Sequence, residues 1–283
     1  MTVRFVAEAA SNHNRDLKRC LAFVKHAAQI GCWAVKFQLF KIDQLFAPEV
    51  LQKSEAHRQR RGWELPVEFL PEIASYCREF HVKFGCTPFY LRAIEELYPY
   101  VDFYKISSYE ILWTKLLVET ARTGKPVVLS TGMATLPEVE EAVSILKNYG
   151  CQDLTLLHCV SAYPAQIVDC NLAAIASLRK RFQCPVGWSD HSRQAAVLYR
   201  AVHRWEAEMI EFHMDLDATG FEYSLGHCWK PEEIKDVIEN IQKGLRADGK
   251  PEKTYRTAEK EERLWRADPA DGLRPIKPLR HIL

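Results

Sequence analysis

Short apolar runs alternate with longer amphipathic stretches along nearly the whole chain. Eight runs can be read: RFVAEAA from Arg4, WAVKFQL from Trp33, VKFGCTP from Val82, DFYKISS from Asp102, PVVLSTG from Pro126, LTLLHCVS from Leu154, PVGWSD from Pro185 and MIEFHMD from Met209. Each is rich in β-branched or aromatic residues and too short for an ordinary helix, as strands covered on both faces are. Between them lie helical patterns. DLKRCLAFVKHAAQIG stops on Gly31, and LPEVEEAVSILKNYG carries Pro137 in its first turn and stops on Gly150. CNLAAIASLRKRF follows the sixth run and PEEIKDVIENIQKGL the eighth. This rhythm predicts an α/β fold, a (β/α)8 TIM barrel over residues 1–246. An open doubly wound sheet is the alternative, but the glycine-rich phosphate loop expected after its first strand is missing. Two stretches break the rhythm. Residues 41–65 form a long insertion after the second strand, with Arg58, Arg60 and Arg61 clustered in it. Residues 247–283 are charged and proline-bearing, and read as a linker-like, short extended C-terminal arm.

Composition narrows the function classes. The chain has 283 residues, 47% hydrophobic, with 38 Lys+Arg against 37 Asp+Glu. Such a chain buries a sizeable core, and its charge balance gives no reason to expect a nucleic-acid partner. No apolar run is long enough to cross a bilayer, and the N-terminus lacks the pattern of a secretory signal, so no membrane partner and a cytoplasmic location are expected. The nine cysteines include no C-x-x-C pair and fall mostly in apolar segments, which suits reduced thiols filling the core.

In a barrel of this kind the chemistry collects at the C-terminal ends of the strands. Those positions hold Glu8 with Asn12 and His13, Lys36 with Gln38, Thr87, Lys105 with Ser107, Ser108 and Glu110, and Ser130 with Thr131. The later strands add Ser161 with Tyr163, Ser189 with Asp190 and His191, and His213 with Asp215. Two lysines, Lys36 and Lys105, amid the hydroxyls of Thr87, Ser108, Ser130 and Ser189 suit a small, multiply charged anion such as a phosphate ester bearing a carboxylate. The plainer alternative pairs each lysine with Glu8 or Glu110. His191 and His213 end neighbouring strands and would hold a divalent ion such as Mn2+ or Co2+, unless they serve only as hydrogen-bonding core residues. His26, His57, His203 and His281 fall on helices or in loops, where solvation is expected.

The segments AEAASNHN, AVKFQ, CTPF, FYKISSYE, VVLSTGM, LLHCVSAYP, GWSDHS and IEFHMDLD, in this order over roughly residues 3–245, resemble the sialic acid synthase family. That resemblance implies a (β/α)8 barrel that condenses phosphoenolpyruvate with an N-acylated amino sugar of the N-acetylmannosamine kind. It implies Lys36, Gln38 and Thr87 at the carboxylate end of phosphoenolpyruvate, with Lys105, Ser108, Ser130 and Ser189 on its phosphate and Ser161 nearby. It further implies His191 and His213 as ligands of a divalent metal (Mn2+, with Mg2+ or Co2+ as alternatives), Glu8 in acid–base work, and Tyr163 at the sugar. The acidic sugar-binding residue of the family's G-P-D segment has its counterpart in Gly220-Phe221-Glu222, in a shortened loop. The family's C-terminal antifreeze-like domain has no counterpart here, and a homodimer formed through the barrel is expected. Two rival readings are a synthase of 3-deoxy sugar acids that takes an aldose phosphate, which the arginines of the insertion would suit, and an inactive regulatory barrel.

Overall fold

The computed structural model describes residues 2–280; His281 lies outside the described residues. Eight strands run β1 (Arg4–Ala10), β2 (Ala34–Leu39), β3 (Lys83–Pro88), β4 (Phe103–Ile106), β5 (Val127–Ser130), β6 (Leu154–Cys159), β7 (Val186–Asp190) and β8 (Met209–His213). Each pairs in parallel with the next, and β8 returns to β1 to close the barrel. The helices that follow them are α1 (Leu17–Gln29), α2 (Leu70–Glu79), α3 (Leu91–Leu97), α4 (Thr114–Arg122), α5 (Leu136–Asn148), α6 (Ala174–Phe182), α7 (Ala195–His203) and α8 (Pro231–Ala247). Local signals set their ends. The Asp16 carboxylate caps α1 by accepting from the Lys18 N–H at 2.8 Å, and Gly31 beyond α1 takes φ +83°. Glu138 accepts from the Thr135 N–H at the start of α5 (2.6 Å), which places Pro137 where no donor is needed. The apolar faces of these helices and the outward faces of the strands make one continuous core.

Inside the barrel a second, smaller apolar cluster contains Val6, Ala34, Phe103, Val128, Leu157 and Met209. Gly85 and Gly187 complete this layer, because a Cβ on Gly85 would sit 2.2 Å from the Phe103 ring and one on Gly187 would sit 2.2 Å from the Met209 carbonyl oxygen. Side chains two positions apart on a strand share a face. The next inward position of the eight strands is therefore Glu8, Lys36, Thr87, Lys105, Ser130, Cys159, Ser189 and Glu211, and all eight line one cavity. The barrel is plugged by hydrocarbon at one level and polar at the next.

The insertion between β2 and α2 is not a bare loop. It folds into helical turns at Ile42–Leu45, Pro48–Lys53, Glu55–Gln59 and Arg60–Trp63. Two of its arginines are tied down at the surface, Arg58 to Glu55 and Arg61 to Asp43. Residues 1–245 and 246–283 form two compact units. The second, expected as an extended arm, has short helical turns at Thr257–Glu259, Lys260–Leu264 and Lys277–Arg280. Its Asp268 carboxylate accepts from the Ala270 and Lys277 N–H groups, and Asp271 pairs with Arg280. No helix among the described residues is long and apolar enough to cross a membrane.

The floor has no room for one more carbon at Gly187, since the obstacle there is backbone. Gly187→Ala is expected to cost about 2–3 kcal/mol, in the range of overpacked cores. Urea unfolding of the two proteins checks it, and an unchanged midpoint would contradict the packing described.

Candidate active site

Above the apolar floor opens a cavity of about 560 Å³, within the range of small-molecule sites. The residues at its base are paired by strand register. Glu8 lies beside Lys36 in the β1–β2 ladder, and the two form a buried ion pair. Ser189 lies beside Glu211 in the β7–β8 ladder, and its hydroxyl donates to Glu211 Oε1 at 3.0 Å. Glu211 reaches across the barrel to Lys105 (3.6 Å) and stands 4.0 Å from Lys36, whose ammonium also donates to Thr87 Oγ1 at 3.2 Å. Two carboxylates thus balance two ammonium groups, all four almost fully buried. Burial pushes Lys36 down to about 8; Glu211 opposes that push and Lys105 adds to it. Burial alone would raise Glu211, but Lys105 and Lys36 hold its carboxyl well below the usual range.

The lysines therefore have carboxylate partners, as the plainer alternative proposed, although Lys105 takes Glu211 rather than Glu110. Not all of the surrounding hydroxyls do. Ser130 Oγ and Ser161 Oγ are buried without a partner, as is Glu211 Oε2. Ser108 Oγ accepts from the Gly132 N–H (2.9 Å) and lies 3.2 Å from Cys159 Sγ. A Cβ at Gly132 would fall within 2.9 Å of Ser161 Oγ, Cys159 Sγ and Ser108 Oγ, so the glycine is what lets these groups converge. Buried polar atoms without partners carry a cost that a bound polar ligand removes.

One wall of the cavity is a cluster of imidazoles. The rings of His191 and His213 are 5.3 Å apart, those of His213 and His227 4.6 Å, and Tyr163 packs against His191 at 4.2 Å. His191 Nδ1 sits 2.7 Å from the Val160 carbonyl oxygen and His213 Nδ1 3.2 Å from Glu222 Oε2. These bonds assign the ring protons to Nδ1 and leave each Nε2 as a free donor of an electron pair. Burial lowers both histidines, His191 to about 3, so both are neutral near pH 7. His213, Glu222, His227 and Cys228 each offer a ligand atom within 4.8 Å of the others, and neither ring nitrogen of His227 has a hydrogen-bond partner. Burial pushes the Cys228 thiol up to about 12. Burial also raises Tyr163 far above its ordinary value, so its hydroxyl keeps its proton.

Every expected site residue except Ser161 lines this one cavity: Glu8, Lys36, Gln38, Thr87, Lys105, Ser108, Ser130, Tyr163, Ser189, His191, His213 and Glu222. Ser161 stands behind Gly132 at its edge. Other polar groups at the strand ends hold the frame instead. Asp190 points outward and accepts from the indoles of Trp188 and Trp229 (3.1 and 3.2 Å). Asp215 pairs with Arg19 of α1 at 2.6 Å, and Thr131 donates to the Leu157 carbonyl. Asn12 accepts from the Glu222 N–H at 2.7 Å and donates to the Met214 carbonyl at 2.9 Å, which fixes the loop after β8. His13 is buried beside Phe37, with burial lowering it to about 4. Glu211 and Cys159 were absent from the expected site. The two-residue period would have found the first, since His213 faces inward on the same strand. His227 comes from an irregular loop and has no such signal.

Glu110 makes a second kind of acidic group. It is hydrogen-bonded to Ser107, and burial raises it from 4.5 to about 7 although Ser107 and Lys105 oppose the rise. Between those values the folded chain keeps a proton that the unfolded chain has released, so stability falls as pH rises through the window. The full effect is about 3 kcal/mol. Glu110→Gln is expected to flatten that slope, measured by urea unfolding between about pH 4.5 and 7.5; equal slopes in both proteins would contradict it.

The family model described as "NeuB family" matches residues 23–253. An uncharacterised protein of Methanocaldococcus jannaschii is 37% identical over 242 residues, covering 84% of this chain and 69% of its own. N,N'-diacetyllegionaminic acid synthase of Campylobacter jejuni is 33% identical over 256 residues, covering 85% and 76%. The crystal structure of N-acetylneuraminic acid (sialic acid) synthetase from Leptospira borgpetersenii superposes with a TM-score of 0.83 at 30% identity, over 93% of this chain and 90% of that one. With its closed parallel barrel and the polar ring at one mouth, this chain belongs to the NeuB family of sialic acid synthase-like enzymes.

Proposed function

We propose that the protein condenses phosphoenolpyruvate with an open-chain N-acylated amino sugar, giving a nonulosonic acid of the sialic type and inorganic phosphate. The observation that carries this reading is the convergence, in one cavity, of a buried lysine–hydroxyl floor with a neutral histidine wall. The floor suits a small anion. Lys36, Gln38 and Thr87 would take the carboxylate of phosphoenolpyruvate, while Lys105, Ser108, Ser130 and Ser189, with Ser161 at the edge, would take its phosphate. The unpartnered hydroxyls of Ser130 and Ser161 would gain hydrogen bonds from such a ligand.

His191 and His213, with Glu222 and His227 beside them, would hold a divalent ion, and their nitrogen and oxygen donors suit Mn2+, with Mg2+ or Co2+ as alternatives. When bound, the ion supplies Lewis-acid polarisation of a sugar aldehyde. The chain's own groups account for the rest. C3 of phosphoenolpyruvate forms the new bond to the aldehyde carbon, and water adds to the cationic C2. The tetrahedral centre then collapses to the keto acid as phosphate leaves. Glu8 would take a proton from that water, and Lys36, its ion-pair partner, would return one. Lys105 and the hydroxyls around it would stabilise the departing phosphate. The protonated Tyr163 hydroxyl and Glu222 would orient the sugar. Nine free cysteines, eight of them buried, suit a reducing compartment such as the cytoplasm.

Phosphate release from phosphoenolpyruvate, with N-acetylmannosamine and other N-acylated amino sugars and with Mn2+ present or chelated, tests the proposal. His191→Ala and His213→Ala are each expected to abolish metal-dependent release and to weaken Mn2+ binding by calorimetry while the barrel still melts cooperatively. Retained turnover in either variant would overturn the metal assignment. No release with any acceptor would favour a binding or regulatory barrel.

A further inference from the structure

The insertion after β2 brings a cation to the mouth of the cavity that the reaction as described does not use. Three arginines lie close together in the sequence, and only one of them is free. Arg58 pairs with Glu55 and Arg61 with Asp43, whereas Arg60 takes part in no ion pair among the described residues. Arg60 is also the one of the three that lines the cavity. Its guanidinium is held in place by two aromatic faces, 5.0 Å from the Trp63 ring and 5.7 Å from that of Phe46. Trp63 in turn stacks on Phe221 of the loop after β8, at 5.7 Å and 19°. The residue that follows Phe221 is Glu222, which bonds to His213. One wall of contacts therefore leads from the histidine cluster outward to Arg60.

We propose that Arg60 receives a phosphate monoester on the acceptor sugar, at the end remote from the aldehyde. This rests on the synthase reading above. An acceptor with its aldehyde at the histidines extends toward the mouth, and the base of the cavity is already committed to the other substrate. A guanidinium packed over two aromatic rings, with no ion-pair partner among the described residues, presents the planar fork that phosphate oxygens accept from. A sugar without the ester offers that fork only hydroxyls. The site is exposed, so the contact must weaken as salt rises.

The test uses the full chain with phosphoenolpyruvate, Mn2+, and either N-acetylmannosamine or its 6-phosphate as acceptor. The ester is expected to be preferred by about tenfold or more in kcat/KM, with its KM rising with ionic strength. Arg60→Ala should raise the KM of the ester by about tenfold and erase the preference, with Arg60→Lys between the two. Arg58→Ala, at an arginine that pairs with Glu55 and does not line the cavity, should change neither. A wild-type preference for the free sugar, or an ester KM unchanged in Arg60→Ala, would overturn the inference. Should neither sugar be turned over, the synthase reading fails by itself, and calorimetric titration of the 6-phosphate decides the question that is left. Binding weakened by about tenfold in Arg60→Ala supports the inference; equal binding, or none to the wild type, overturns it.

Discussion

The fold turns on a charge constraint. Two ammonium groups, Lys36 and Lys105, are sunk into the middle of a barrel whose next layer down is hydrocarbon. Isolated charges there would cost several kcal/mol each. Glu8 and Glu211 make the burial tolerable, and register puts them where they are needed: Glu8 beside Lys36 on the adjoining strand, Glu211 between both lysines from the far end of the sheet. Closure of β8 onto β1 is therefore more than a topological fact. It carries the carboxylate that neutralises charges from β2 and β4, and it carries His213 two residues further on.

This arrangement separates two kinds of chemistry within one cavity. The floor is ionic, balanced and hydroxyl-rich. The wall is neutral, because burial keeps His191 and His213 unprotonated. Backbone and carboxylate partners hold their Nδ1 atoms, which leaves each Nε2 free to donate its electron pair. The loop after β8 is fastened by Asn12 from the loop after β1, which gives Glu222 and His227 fixed places despite an irregular backbone. Cavity-facing groups thus sit on strands or on tethered loops, and the insertion adds to the outer wall.

Much of this was legible in the sequence, and the reasons are local. Strand positions could be read because buried parallel strands are continuous apolar runs, and each observed strand begins and ends within two residues of the expected run. Gly31, Gly150 and Pro137 marked helix ends through backbone sterics alone. Less legible was which side of a strand each polar group takes. Asp190 and Ser189 are neighbours in sequence, but the first braces two indoles outside the barrel while the second faces the cavity. Partner choice was not legible either, since Lys105 finds Glu211 from a strand across the barrel rather than the nearby Glu110. The short helices of the insertion have no long period to reveal them, and His227 reaches the site only because Gly226 turns the chain at φ +87°.

The central claim is that Glu211 exists to balance Lys36 and Lys105, so the most direct test removes its charge and keeps its shape. In Glu211→Gln the base of the cavity gains an uncompensated positive charge. The account predicts lower stability in the absence of ligand, tighter binding of inorganic phosphate or phosphoenolpyruvate by calorimetry, and recovery of the lost stability when that anion is bound. Weaker anion binding together with unchanged stability would contradict it.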